Sequence, residues 1–117
     1  MPPPRTNVPS EWFPKRGDIC LFMLDKKRPG LVVSSDALNR HALDVCIVPI
    51  STVEHKAFRL RPSLRAGEGG LDRDSWAKCD QVTTIEKAKA VYPPLGALNQ
   101  LSLDRVGEAI KLALELP

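Results

Sequence analysis

Aromatic side chains are scarce: three Phe, two Trp and one Tyr in 117 residues. An aromatic-lined groove for proline-rich peptides therefore has little to be built from. Cysteine is nearly as rare. Cys20, Cys46 and Cys79 are an odd number without CxxC spacing, which fits buried thiols in a reducing compartment and neither a disulfide framework nor a zinc site. The only histidines, His41 and His55, stand in or near loops and read as solvated side chains. HExxH, GxSxG, EF-hand and GxxxxGK[ST] patterns are all missing, so Gly67-Glu68-Gly69-Gly70 is a glycine turn and not a phosphate loop. The longest apolar stretches, Ile19–Leu24 and Val45–Ile50, fall far short of the ~20 residues that cross a bilayer. Behind Met1-Pro2-Pro3-Pro4-Arg5 there is no apolar core of a signal peptide, and the cytoplasm is the expected location.

What is present is an ordinary globular mixture, 43% hydrophobic and 26% charged, on a chain long enough for one core. The net charge of +3 is too mild to imply a nucleic-acid partner by itself. Residues 1–14 carry five of the eleven prolines. They read as an extended arm, because proline fixes φ and removes a backbone donor, with Trp12 and Phe13 tucking its end onto a domain spanning 15–117. Within that domain Asp18–Leu24, Gly30–Ser34, Ala42–Val48, Phe58–Leu64 and Ser75–Val82 have strand character, and Val91–Leu98 is at best a short edge strand. Ser35–His41 reads as a polar loop. Thr83-Thr-Ile-Glu86 has the form of a capping box opening a short helix through Ala90. Leu103, Val106, Ile110, Ala113 and Leu114 line one face of a terminal helix with Ser102 as its N-cap. The fold class is mainly β with a C-terminal helix, a small bent antiparallel sheet closing into a barrel.

Two short segments offer chemistry. In Lys26-Lys27-Arg28-Pro29 a permanently charged guanidinium stands beside a rigid proline at a hairpin tip. That suits a phosphate ligand, and equally a solvated charged turn. In Pro49-Ile50-Ser51-Thr52 two adjacent hydroxyls stand where an apolar strand stops. Such hydroxyls more often bond their own backbone.

Five ordered blocks carry a family resemblance: Lys15-Arg16-Gly17-Asp18-Ile19; Arg28-Pro29-Gly30-Leu31-Val32-Val33-Ser34 with Asp36 and Asn39; Val48-Pro49-Ile50-Ser51-Thr52; Gly69-Gly70-Leu71-Asp72-Arg73-Asp74-Ser75; and Cys79-Asp80-Gln81-Val82-Thr83-Thr84-Ile85. From about residue 15 to the terminal helix the string resembles the MazF/PemK toxins. The resemblance implies an SH3-like barrel that homodimerises and cleaves single-stranded RNA at a short sequence, without metal or cofactor, restrained by a cognate antitoxin. It maps the catalytic arginine onto Arg28 and the catalytic hydroxyl onto Ser51, with Thr52 immediately following. Beside these, Lys27, Lys56, Arg59, Arg61 and Arg65 suit a groove for the RNA backbone, the arginines equally a solvated strand face, and Gln81 offers an amide for a base. Two departures stand out: Asp25–Arg28 is nearly all that joins the first two strands, where the family commonly has a long glycine-rich loop, and serine replaces the usual threonine. The alternative on the same barrel is a CcdB-like toxin that binds DNA gyrase and cleaves nothing, for which the Arg28-Pro29 and Ser51-Thr52 pairs have no obvious use.

Overall fold

A computed structural model describes residues 8–54 and 59–117. Among the described residues seven strands form one antiparallel sheet: β1 (Asp18–Met23), β2 (Lys27–Val32), β3 (Asp44–Ser51), β4 (Ser63–Leu64), β5 (Ser75–Ala77), β6 (Thr83–Glu86) and β7 (Gly96–Ala97). The strand order is β4-β5-β3-β2-β1-β7, and β6 joins the edge of β3. The described residues also form two α-helices, α1 (Asp36–His41) and α2 (Gln100–Leu114).

The centre of the sheet is apolar on both faces, so side chains of alternating direction enter two cores. Ile19, Leu31, Val48 and Ile50 face one cluster, closed by Leu64, Ala77, Cys79 and by Val106 and Ala109 of α2. Cys20, Phe22, Val32, Val45, Ile47 and Ile85 face the other, against which Trp12 packs. Trp12 also meets Tyr92 edge to face, 5.1 Å between ring centres, so the end of the proline-rich segment does lie on the domain. Burial pushes the thiols of Cys20 and Cys79 up to about 12, which leaves them inert.

Several sequence expectations need correcting. Ser35–His41 is no loop: Ser35 caps α1 by accepting from Leu38 N at 3.3 Å. Its one buried residue is the polar Asn39, so no apolar stripe announces it, and Ser, Asp and Asn suit a cap as well as a turn. Asn39 is satisfied by donating to the Ser34 carbonyl at 3.0 Å and by bonding the Ser34 hydroxyl. Thr83–Glu86 opens no helix; it is β6, paired residue for residue with Asp44–Ile47 of β3. An unfilled ladder edge outweighs a local capping pattern, and β-branched Thr83, Thr84 and Ile85 suit a strand. Only after it do Lys87–Lys89 make a single 3-10 turn. The N-cap of α2 is Asn99, whose side chain accepts from Ser102 N at 2.8 Å; the Ser102 hydroxyl instead donates to Glu68 at 2.5 Å. The strand expected over Ser75–Val82 ends at Ala77, and Lys78–Gln81 form a turn. Of Phe58–Leu64 only Ser63–Leu64 is strand, and Phe58 lies outside the described residues.

The mouth of the sheet is closed by backbone approach. At Gly70, φ is 79° and a Cβ would lie 1.9 Å from the Leu95 carbonyl oxygen; at Gly96 a Cβ would lie 2.5 Å from the Gly69 backbone. Glycine is required at both positions by contact.

Candidate active site

Arg28 is the second residue of β2 and not part of the turn expected over Lys26–Gly30: it pairs with Phe22 of β1, just past the three-residue tip Leu24–Lys26 of the first hairpin, which Leu24 N closes by donating to Lys26 O at 3.1 Å. The bonded register of β2 and β3 runs Val32↔Ile47, Leu31↔Val48, Gly30↔Pro49. Continued two residues further, the same count sets Arg28 opposite Ser51. The face is marked by Gly30, where a Cβ would run into Ile47 and Phe22. By alternation Arg28 and Ser51 share that face, while Lys27, Pro29 and Thr52 project to the other. Beyond Gly30↔Pro49 the two strands no longer bond each other: β2 stays with β1, and Ile50 and Ser51 pair with β5. The candidate residues thus flank a split between two strands at the end of the sheet.

The guanidinium of Arg28 is half exposed and donates to Asp25 from Nε at 3.1 Å and Nη2 at 3.2 Å. This contact uses one edge of the fork. The terminal edge, with one Nη1–H and one Nη2–H side by side, is still able to clamp a phosphate. Hydrogen bonding to Arg28 holds the Asp25 carboxyl below its ordinary value, and the same bond raises the guanidinium further above its own. Ser51 Oγ accepts from Val53 N at 3.1 Å, so the loop beyond β3 orients the hydroxyl, and its proton is left to donate. Thr52 is exposed.

Two grooves meet at this point. One, of about 480 Å³, is lined by Arg28 and Pro29, by Phe22, Ile47 and Pro49, and by β6 with Lys89. The other, of about 340 Å³, is lined by Pro29, Ile50, Thr52, Leu71, Ser75 and Leu95 among others. Pro29 is a wall of both. The remaining basic residues are not gathered here. Arg59 lines a separate groove against Leu101, Arg105 and Glu108 of α2. Arg61 is largely enclosed and pairs with Asp80 through Nε and Nη2, both at 3.0 Å, an interaction that lowers the Asp80 carboxyl. Gln81 is exposed in the turn before β6, its backbone N–H given to Lys78 O at 2.9 Å. Lys56 and His55 lie outside the described residues, and His41 closes α1. Phe22, Ile47, Thr83, Ile85 and Lys89 escaped the sequence reading as groove residues, because their strand pattern reports burial and not which side of a sheet is open.

The model of the PemK-like, MazF-like toxins of type II toxin–antitoxin systems matches residues 15–114. Endoribonuclease MazF9 of Mycobacterium tuberculosis is 29% identical over 115 residues, covering 87% of this chain and 97% of that protein. A mycobacterial endoribonuclease solved in complex with its cognate antitoxin superposes with a TM-score of 0.79 at 26% identity, over 89% of this chain and 97% of its own. The M. tuberculosis toxin MazF-mt6 gives 0.77 at 27% identity over 86% and 98%. A MazE–MazF structure from Deinococcus radiodurans, 18% identical with a TM-score of 0.77 over 91% of this chain and 99% of its own, shares the fold. The gyrase-binding alternative finds no support in these likenesses. A strand-rich sheet closed by a C-terminal helix, an arginine and a hydroxyl at the end of neighbouring strands, and a family match across most of the domain agree: the chain belongs to the PemK-like, MazF-like toxin family.

Proposed function

We propose that the protein is a toxin endoribonuclease that cuts unpaired RNA at a short sequence by attack of the 2′-OH on the adjacent phosphate, with Arg28 and Ser51 as its catalytic residues. The observation that carries this reading is that Arg28 of β2 and Ser51 of β3 flank the split where β2 and β3 part, with Arg28 on an open groove. The attack yields a 2′,3′-cyclic phosphate and a free 5′-OH, and the pentavalent phosphorus carries extra negative charge on its non-bridging oxygens. The outer edge of Arg28 donates two hydrogen bonds to those oxygens, and Ser51 donates one. With Asp25 raising its pKa, Arg28 is a poor proton acceptor at neutral pH, and its part is electrostatic. Asp25 is a positioning residue, since it holds the guanidinium by the edge that the phosphate does not need.

Thr52, on the opposite side and lining the second groove, is read as a contact to the RNA strand. Lys27 and Arg59 would add phosphate contacts at the periphery, with Lys56 and Gln81 as further candidates. Arg61, already paired with Asp80, contributes less. By likeness to the mycobacterial endoribonuclease solved with its cognate antitoxin, a cognate antitoxin is the expected inhibitor, and the working form is read as a cytoplasmic homodimer. Among the described residues no helix is long and apolar enough to cross a membrane. The test is incubation of the purified protein with a long RNA in EDTA, followed by mapping of 5′ ends. Discrete cuts with 5′-hydroxyl ends, lost in Arg28→Ala, are expected; uncut RNA would overturn the reading.

A further inference from the structure

Trp76 is one of two tryptophans in the chain, and it stands in the middle of β5 with β4 paired on one side and β3 on the other. The second, Trp12, packs against a core cluster and meets Tyr92. Trp76 belongs to neither core cluster of the described residues and lines neither of the grooves that meet at Pro29. Among the described residues its ring meets no other ring and its indole N–H has no hydrogen-bond partner. The side chain is only partly buried. An indole costs free energy to leave in water, and one that serves a core normally finds both apolar contacts and a partner for its N–H.

The strand register gives the indole its neighbours. Trp76 is opposite Ser51 on β3 and Ser63 on β4, and directly opposed residues share a face with their Cβ atoms about 5 Å apart. Continued across the split, the row reads Ser63, Trp76, Ser51, Arg28, and all four are at least partly exposed. A phosphate held between Ser51 and Arg28 therefore leaves the base of a flanking nucleotide within reach of the indole. A flat apolar ring on a strand fixed from both sides is a stacking surface, and stacking accepts any base because each has a π-face.

Resting on the endoribonuclease reading above, we propose that Trp76 is a further substrate-binding residue: its indole stacks one base flanking the cut phosphate, whichever base that is, and so holds the nucleotide against Ser51. It adds binding and not sequence choice. The same stack is present before and during attack by the 2′-OH, so its loss weakens RNA binding and leaves the chemical step nearly unchanged.

The experiment uses the intact protein and a short unpaired RNA with one cut site. Trp76→Ala should raise KM roughly fivefold to a hundredfold with little change in kcat, and Trp76→Phe should recover much of that loss. An uncleavable copy of the RNA, with 2′-deoxyribose at the cut, should quench the tryptophan emission of the wild type, and Trp76→Phe should remove the quench while still binding. To separate stacking from a merely structural role, the base is then removed from the RNA. An abasic nucleotide on one side of the cut should weaken binding to the wild type by about the factor that Trp76→Ala costs, and Trp76→Ala should lose nothing further on that RNA. The penalty in Trp76→Ala should be alike for every base at that position. If Trp76→Ala fails to fold, the abasic RNA with wild type and the quench lost in Trp76→Phe decide by themselves. Losses that add in full at both flanking nucleotides, or wild-type emission that RNA leaves unchanged, overturn the platform while Arg28-dependent cleavage stands. A Trp76→Ala protein that has become a smaller particle by size-exclusion, with its RNA binding restored at high protein concentration, assigns the indole to a second copy and overturns the platform too. RNA that quenches Trp76 but is never cut leaves the platform standing and overturns the endoribonuclease reading instead.

Discussion

At the scale of single residues, charge and hydrogen-bond geometry separate groups that look alike in sequence. Arg28 and Arg61 both hold a carboxylate through Nε and Nη2, but Arg61 does so largely enclosed and Arg28 half exposed on a strand just past a hairpin tip. An exposed pair contributes little to stability. Arg28→Ala is therefore expected to leave the melting temperature within a degree or two and to remove RNA cleavage. Arg28→Lys should rescue poorly, because an ammonium has no two-donor edge. The pair Ser51 and Thr52 divides in the same way. Ser51→Ala should cost roughly 2.7 to 4 kcal/mol of transition-state stabilisation, about a hundredfold to a thousandfold in kcat, whereas Thr52→Ala should act mainly through KM. Single-turnover rates at saturating RNA distinguish the two; a larger kcat loss in Thr52→Ala would reverse the assignment.

Elements are decided by competition between local pattern and available partners. The segment Thr83–Glu86 satisfies a capping-box pattern, yet it completes the ladder of β3. Ser35 makes a helix start of a segment that reads as a loop. Ser35→Ala should lower stability by about 1 kcal/mol through the lost cap, measurable by denaturant titration. The connection between the Glu68–Gly70 turn and β7 is less forgiving. Gly70→Ala must place a Cβ against the Leu95 carbonyl in a left-handed backbone. The backbone conformation alone should cost about 1–3 kcal/mol, with the steric clash added to it. Because Leu71 and Leu95 line the groove that holds Thr52, this variant should also weaken RNA binding, and normal stability in it would contradict the close approach.

For the whole molecule, one carboxylate ties the sheet to the terminal helix. Glu68 accepts from Ser102 Oγ of α2 at 2.5 Å and from Arg65 N at 2.6 Å. The Ser102 bond, followed by the Arg65 bond, lowers its pKa below the ordinary 4.5. A carboxyl lowered in the folded state stabilises the fold fully above its unfolded pKa, and that stabilisation disappears as pH falls through the folded value. Stability should therefore drop below about pH 4.5, and Glu68→Gln should flatten that part of the profile while being the less stable protein at pH 7. Asp18 acts with the opposite sign. Burial raises its pKa, so the stability associated with its protonated form is present at low pH and is lost as pH rises through that raised value. The two effects separate in Glu68→Gln and Asp18→Asn melts followed from pH 3 to 8.

Composition and local pattern were enough for the class of fold, the first three strands, the terminal helix and the inertness of two cysteines, because these follow from alternation, helical periodicity and burial of apolar runs. The ordered blocks around Arg28-Pro29 and Ser51-Thr52 carried the family likeness and named the candidate catalytic groups. Which hydroxyl shares a face with Arg28 was not legible there, since it depends on the β2–β3 register and on where those strands part. Nor could charge patterning tell a basic residue that lines the site from one bound to Asp80 or lying beside α2. The pairing that sets Trp76 beside Ser51 likewise joins strands far apart in sequence. Alternation along a strand reports that a side chain is sheltered, but only the packing of the other strands decides whether the shelter is a core or an open groove.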